Sequence, residues 1–159
     1  MSDPTKTART LANPVLLWEL VQTSHLASRA FRELFTQFDL TPTQFGVLSC
    51  LADGDDFTKA ELARALLIRP QSMDPLIESL LEQGLVRRDG PARRGRAAGV
   101  AITPAGTVRL AHVAPRVAEL NRPERLGLAE DQIEVVIQHL QTIRNRLEDC
   151  SPWPGRVQG

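Results

Sequence analysis

The fold is decided by residues 58–84, which read TKAELARALLIRPQSMDPLIESLLEQG. Thr58 and Glu61 have the spacing of a capping box, so a short helix is predicted to begin there. After a tight turn, Pro70 begins a second helix, which Gly84 ends. Two helices joined by about three residues are typical of a helix-turn-helix, whose second helix enters the major groove of DNA.

A β-hairpin is predicted immediately after this pair of helices. Residues 85–89 and 98–102 are short strand candidates on either side of a turn-rich loop. Arginines are concentrated in this stretch, at Arg87, Arg88, Arg93, Arg94 and Arg96. A simple solvated loop is one explanation. However, clustered like charges repel one another, and a nearby polyanion relieves that repulsion. The arginine-rich hairpin therefore indicates binding to DNA, whose minor groove attracts arginine.

Further helices are predicted on both sides of this region. Asn13 is expected to cap the first helix, which Pro14 begins and which runs to about Gln37. Three more helix starts are predicted, at the Thr41-x-x-Gln44 capping box, at Thr103-Pro104 and at Asp131. Pro115 lies inside the second of these patterns, the helix that begins at Thr103-Pro104, and is expected to kink it.

The first and last helices carry long apolar faces that a small helix-turn-helix core cannot cover. A second copy of the chain is expected to cover them, although packing on each other within one chain is the alternative. The residues expected at the dimer interface are Leu17, Leu20, Ile133, Val136, Ile137, Leu140, Ile143 and Leu147. A two-fold dimer is expected to bind a pseudo-palindromic DNA site with half-sites about one helical turn apart.

Composition and motifs argue against an enzyme. The 159 residues suit one domain, or a small domain with a dimerisation element, and the formal net charge is zero. The three histidines lie far apart, and neither a phosphate-binding glycine loop nor a serine nucleophile elbow is present. No cofactor or metal is expected. The chain has no long apolar run and no signal-peptide pattern at its N-terminus, so a cytoplasmic protein without a membrane partner is expected.

Five short segments, in order, resemble one protein family. They are LTPTQFGVL at 40–48, ELA at 61–63, RPQSM at 69–73, LLEQGLV at 80–86 and ITPAG at 102–106. Together with the flanking helices, over about residues 13–148, they resemble the MarR family of bacterial transcriptional regulators. The resemblance implies a winged helix whose terminal helices interleave into a symmetric dimer. It also implies repression that a small molecule relieves.

The resemblance assigns roles to two segments. Residues 70–83 become the recognition helix, and residues 87–102 become the wing. Arg96 becomes the residue that enters the minor groove. Two departures affect the predicted site: Arg94 stands where the family has a wing aspartate, and Asp74-Pro75 replaces small or basic residues. Asp74 would repel phosphates, and Pro75 would kink the recognition helix at a cost of roughly 3 kcal/mol if the strain is not relieved.

The residues expected to contact DNA lie on three segments: the start of the short helix, the start of the recognition helix, and the wing. Arginine pairs with guanine, glutamine with adenine, and serine with bases or phosphates. The set is Thr58, Lys59, Arg69, Gln71, Ser72, Met73, Asp74, Arg87, Arg93, Arg94 and Arg96.

A small-molecule pocket is expected beside the first helix. Trp18, His25 and Arg29 are spaced by seven and four residues and therefore share one helical face. By resemblance, effectors bind between the dimer helices and the DNA-binding lobe, where Trp18 and Arg29 would hold an aromatic anion. The alternative is an interface tryptophan with a solvated histidine and arginine.

The two cysteines, Cys50 and Cys150, are expected to be reduced thiols. A redox switch through the chain-terminal Cys150 is the alternative.

The sequence therefore predicts a mainly α protein with a small β-hairpin wing. Its expected organisation is a flexible arm at 1–12, dimerisation helices at 13–38 and 104–149, a winged helix-turn-helix at 39–103 and an irregular tail at 150–159. The expected function is that of a homodimeric, sequence-specific regulator that binds double-stranded DNA and is released by a small aromatic or anionic effector. The alternatives are a winged-helix protein-interaction module and a cysteine-based redox regulator.

Overall fold

The computed structural model describes residues 15–53, 57–89 and 99–149. Its helices are α1 Leu16–Thr36, α2 Pro42–Ala52, α3 Lys59–Ala65, α4 Met73–Glu82, α5 Pro104–Leu120, α6 Pro123–Leu126 and α7 Glu130–Asp149. Strands β1 Val86–Asp89 and β2 Gly99–Ile102 pair antiparallel, with Val86 opposite Ile102. The expected fold class, mainly helical with a hairpin wing, is confirmed.

Both predicted capping boxes are present. Thr41 accepts a hydrogen bond from the backbone N–H of Gln44 at 3.2 Å, and the Gln44 side chain accepts one from the N–H of Thr41 at 2.8 Å. Thr58 and Glu61 form the same pair of contacts at the start of α3. These bonds satisfy N–H groups that have no partner within the helix, so the starts of α2 and α3 are fixed locally.

The turn of the helix-turn-helix is built on a residue with positive φ. Leu67 has φ 53°, and the N–H of Ile68 returns to the carbonyl of Ala63 at 3.0 Å. Gly84 ends the recognition helix in the same way, with φ 67° and the N–H of Leu85 on the carbonyl of Leu80. A left-handed leucine costs roughly 1–2 kcal/mol, which Gly84 avoids because it has no Cβ.

The recognition helix begins with a turn of a different kind. Residues Pro70–Ser72 form a 3-10 turn, and α4 begins after it at Met73. Pro75 is therefore the third residue of α4, where a backbone N–H would have no α-helical partner in any case. The predicted strain at Pro75 is thus relieved by a restart of the helix.

One hydrophobic core lies beneath the helix-turn-helix and the hairpin. Its buried residues come from the end of α1, from α2 to α4, from the hairpin and from α5. They are Phe35, Leu40, Val47, Leu48, Leu51, Leu62, Ala63, Met73, Ile77, Leu80, Leu85, Val86, Val100 and Val113. Among the described residues, Gln44 is a polar residue that is also buried. Its side-chain amide donates a hydrogen bond to the hydroxyl of Ser79 at 3.1 Å. That bond fixes α4 against α2.

Helix α5 begins in close contact with the segment between α4 and β1. The N–H of Thr103 donates to the carbonyl of Leu85 at 3.0 Å, and the Thr103 hydroxyl donates to the carbonyl of Gly84 at 2.6 Å. The same hydroxyl accepts the N–H of Gly106 at 3.1 Å. A Cβ on Gly106 would lie 2.1 Å from the oxygen of Leu85, so only glycine allows this approach.

The start of α1 differs in detail from the sequence pattern. Helix α1 begins at Leu16 with Val15 at its cap position, later than the predicted start at Asn13 and Pro14, which lie outside the described residues. Helix α5 continues through Pro115.

The chain divides into two compact units between Val117 and Ala118. None of the helices described is long and apolar enough to cross a membrane.

Candidate nucleic-acid interface

The start of the recognition helix is an exposed polar turn. Arg69, Gln71 and Ser72 are all exposed, and the 3-10 turn contains no buried residue. On the opposite side, Ile77 and Leu80 of α4 are completely buried in the core. The core therefore holds the helix from behind while its polar start faces outward.

Met73 has to be removed from the set of base-contacting side chains. Its side chain is 1% exposed and belongs to the core. Met73 lies four residues before Ile77 and seven before Leu80, so it shares their helical face. The apolar spacing, and not its position near the helix start, determines where its side chain points.

Thr58 and Lys59 lie at the start of α3, beside the recognition helix. Both are partly buried, and the Thr58 hydroxyl is engaged in the capping box. The ammonium group of Lys59 forms an ion pair with the carboxylate of Asp74, across fifteen residues of sequence. Asp74 is exposed, which is the condition for the predicted repulsion of phosphates, but its carboxylate faces a lysine of the same chain.

A second ion pair joins the recognition helix to the hairpin. Arg88 on β1 donates to Glu78 on α4 at 2.5 Å. Arg88 is one of the hairpin arginines that the sequence associates with DNA, but Glu78 is not predicted at the site, and nothing in the local sequence pattern links the two residues. Arg87, the neighbour of Arg88 on β1, is exposed. The predicted wing residues Arg93, Arg94 and Arg96 lie outside the described residues.

A cavity of about 450 Å³ lies between the start of α3, the middle of α4 and the hairpin. It is lined by Thr58, Lys59, Ala60, Ile77, Arg88, Gly99 and Val100. The floor is apolar, from Ile77 and Val100, while Lys59 and Arg88 supply positive charge. The two ion-paired cations therefore face one common surface depression.

The residues of the predicted effector pocket lie on the exposed part of α1. The side chains of Trp18, His25 and Arg29 are all exposed, and Trp18 is 48% accessible. Arg29 forms an ion pair with Glu33 one helical turn away, at 3.6 Å. None of the three lines the cavity, so the effector pocket stays a prediction.

The residues of the predicted dimer interface are poorly covered within one chain. In α7 no residue is buried, and four of its aliphatic side chains are at least 41% exposed: Val136, Ile137, Leu140 and Leu147. In α1, Leu17 is exposed and Leu20 is partly exposed. Contiguous apolar surface of this kind is uncommon on a monomer.

Cys50 lies partly buried on α2, and burial raises the pKa of its thiol above the usual value. The nearby charge of Asp53 raises the pKa further. Both effects disfavour the thiolate, which is the reactive form of cysteine. Cys150 lies outside the described residues.

We expect alkylation of Cys50 by iodoacetamide at pH 7–8 to be several-fold slower in the folded chain than in the urea-unfolded chain. The rate in the folded chain should rise with pH well beyond the point where that of the unfolded chain levels off, since the thiolate forms only above the raised pKa. Peptide-resolved mass spectrometry separates Cys50 from Cys150. Equal or faster alkylation in the folded chain would mean an activated thiol and would favour the redox alternative.

Comparison with known proteins gives the same fold. Residues 38–97 match the model of the MarR family. A MarR family transcriptional regulator from Silicibacter pomeroyi has a TM-score of 0.73 at 20% identity, over 96% of this chain and 97% of that one. No relative is found among curated protein sequences.

Two of the similar structures are DNA complexes. The complex of MepR from S. aureus with DNA has a TM-score of 0.72 at 19% identity, over 84% of this chain and 96% of that one. The transcriptional repressor CouR, bound to a 23-mer DNA duplex, has a TM-score of 0.72 at 26% identity, over 82% of this chain and 92% of that one. The winged-helix assignment is therefore confirmed.

Proposed function

We propose that this chain is a member of the MarR family and a homodimeric transcriptional regulator that binds double-stranded DNA at specific sequences. The observation that carries the proposal is the placement of Gln71 and Ser72. Both lie on an exposed turn at the start of a helix whose other face is locked into the core. Residues in that position of a helix-turn-helix reach base edges in the major groove.

The groups on this turn suit base recognition. Glutamine forms paired hydrogen bonds with adenine, and Arg69 next to the turn has the donors to pair with guanine. The wing supplies Arg87, with Arg93, Arg94 and Arg96 proposed at its tip from the sequence. MepR and CouR, which share this fold, were each solved bound to DNA.

The proposed dimer rests on the apolar surface of α1 and α7. Each helix presents exposed aliphatic side chains that a second copy can cover, with burial worth about 25 cal/mol per Å². Two copies related by a two-fold axis place two recognition helices on one face, so the DNA site is a pseudo-palindrome. The core of each winged helix is already complete within one chain.

The proposed mode of regulation is repression that ends when an effector binds. CouR is itself a transcriptional repressor. Trp18, His25 and Arg29 offer stacking and positive charge to an aromatic anion, and dimer formation would place a second chain beside them. A change in helix spacing on effector binding would separate the two recognition helices from their half-sites.

Selection of bound fragments from random duplex DNA tests this function. A palindromic motif with two half-sites about one helical turn apart is the expected result. Binding to mixed genomic DNA should weaken steeply with salt, because phosphate contacts release counterions. Enrichment of no motif, together with weak binding even at low salt, would reject DNA binding. That outcome would favour the protein-interaction module, for which the exposed carboxylates of Asp74 and Glu78 are the supporting observation.

Gln71→Ala should alter sequence preference more than general affinity. Loss of a paired contact to one base costs about 1–3 kcal/mol of discrimination, or roughly 5- to 150-fold in relative affinity. Competition between the selected motif and its single-base variants measures this. Gln83→Ala, at the exposed far end of the same helix, is the matched control. A uniform loss across all sequences would instead place Gln71 on the DNA backbone.

A further inference from the structure

The recognition helix carries three carboxylates at four-residue intervals, and two of them, Asp74 and Glu78, each hold a cation from a neighbouring element. Asp74 and Glu78 are four residues apart, so they form one stripe along α4. Asp74 pairs with Lys59 at the start of α3, and Glu78 pairs with Arg88 on β1. Two like charges at this spacing repel each other, and the two cations offset that repulsion.

Both ion pairs border the surface that is proposed to face DNA. Lys59 and Arg88 line the same cavity, which lies between the start of α3, the middle of the recognition helix and the hairpin. Asp74 lies two residues after Ser72, at the exposed end of the helix. All four side chains retain solvent exposure, from 37% for Lys59 to 68% for Asp74. A phosphate group could therefore reach either cation without disturbing the core.

We propose that the carboxylates of Asp74 and Glu78 occupy the places of DNA phosphates. In this way the two carboxylates compete with DNA for Lys59 and Arg88. This inference rests on the proposed DNA-binding function. The two carboxylates lower the affinity of the protein for duplex DNA of any sequence. Sequence-specific contacts by other residues then contribute a larger share of the binding free energy. Asp74, which departs from the family pattern, and Glu78 thereby limit non-specific binding.

The competition has a distinct effect on the salt dependence of binding. While Asp74 holds Lys59, the lysine makes no phosphate contact, and the DNA keeps the counterion that this contact would release. With Asp74→Asn, Lys59 is free to contact a phosphate, and each new contact adds about 0.9 to the slope of log affinity against log salt.

The experiment measures binding of the full-length dimer to a mixed-sequence duplex over a range of salt concentrations. Asp74→Asn and Glu78→Gln each change one contact in both subunits, so each should steepen the slope by about 1.8. The affinity of each variant relative to the parent protein should then grow by about 60-fold for a tenfold fall in salt. Lys59→Gln in the Asp74→Asn background should remove the gain, because the freed cation is then absent.

Glu82→Gln is the matched control, since it removes one negative charge from the exposed end of the same helix. Glu82 makes no ion pair among the described residues. The salt dependence of DNA binding by Glu82→Gln should differ much less from that of the parent protein than the salt dependence of Asp74→Asn or Glu78→Gln. Thermal unfolding of each variant checks folding, and little change is expected because exposed ion pairs contribute little to stability.

Three outcomes separate the possibilities. If the parent protein shows no salt-dependent DNA binding, the proposed function itself fails. If the parent protein binds DNA but the two variants keep its slope, only the competition is rejected. Weaker binding by the folded variants also rejects it, and would mean that the ion pairs hold the recognition helix in its binding position.

Discussion

Gly106→Ala is expected to destabilise the fold by about 3 kcal/mol or more, as over-packed interiors do. A Cβ at this position would lie 2.1 Å from the backbone oxygen of Leu85 and 2.7 Å from the Ile102 side chain. The oxygen of Leu85 also accepts the N–H of Thr103, so it cannot retreat without breaking the start of α5. Urea denaturation followed by circular dichroism measures the change.

Gly46→Ala is the matched control for that substitution. Its Cβ would approach only the end of the Leu66 side chain, at 2.8 Å, and that end can rotate away. Gly46 also lies inside α2, where alanine is favoured over glycine by up to about 1 kcal/mol. We expect its net effect to stay within about 1 kcal/mol. Equal losses from the two substitutions would show that the contact with Leu85 is not what constrains Gly106.

Leu140→Asp is expected to convert the dimer to a monomer. The substitution places a charge in the apolar face of α7 twice per dimer, because the two-fold axis repeats it. With about 2 kcal/mol for each buried polar group left without a partner, the dimer loses about 4 kcal/mol, or roughly a thousandfold in its association constant. Sedimentation equilibrium measures the assembly, and affinity for the selected palindrome should fall with it.

Gln138→Asp provides the control, because residue 138 lies on the side of α7 away from Leu140. It introduces the same residue type into the same helix, so any loss of helix propensity is matched. It should leave the dimer intact. A Leu140→Asp protein that remains dimeric at micromolar concentration would contradict the assignment of this face to the interface.

Local signals in the sequence predicted the helix-turn-helix well. The capping boxes at Thr41 and Thr58 depend on residues only three positions apart, and both form as predicted. Gly84 ends the recognition helix for an equally local reason, its positive φ. Interactions within one turn of chain do not depend on tertiary context, so sequence alone can reveal them.

The errors arose where two local rules conflicted. Met73 lies at the start of the recognition helix, where exposed side chains are expected, and it also fits the apolar spacing of the core. Its side chain is buried, because burial of an apolar side chain is more favourable than exposure to solvent. Pro75 strains a helix only from a position inside it, and the 3-10 turn before Met73 places Pro75 in the first turn of α4.

The ion pairs of the recognition helix could not be predicted from the sequence. Lys59 and Asp74 lie fifteen residues apart, and Glu78 and Arg88 lie ten apart on different elements. These ion pairs depend on how α3, α4 and β1 pack against one another, and the periodicity of the sequence does not predict that packing. The sequence identified three of these four as charged residues near a DNA-binding segment, Lys59, Asp74 and Arg88, but not that they neutralise one another.

The two prolines at the start of the recognition helix have a consequence for the thermodynamics of association. Pro70 begins the 3-10 turn and Pro75 lies in the first turn of α4, so their rings lock two φ angles within six residues. The unbound segment therefore samples few conformers and has little disorder to lose when it docks. Association can proceed as the meeting of preformed surfaces, with a small entropic penalty from this turn.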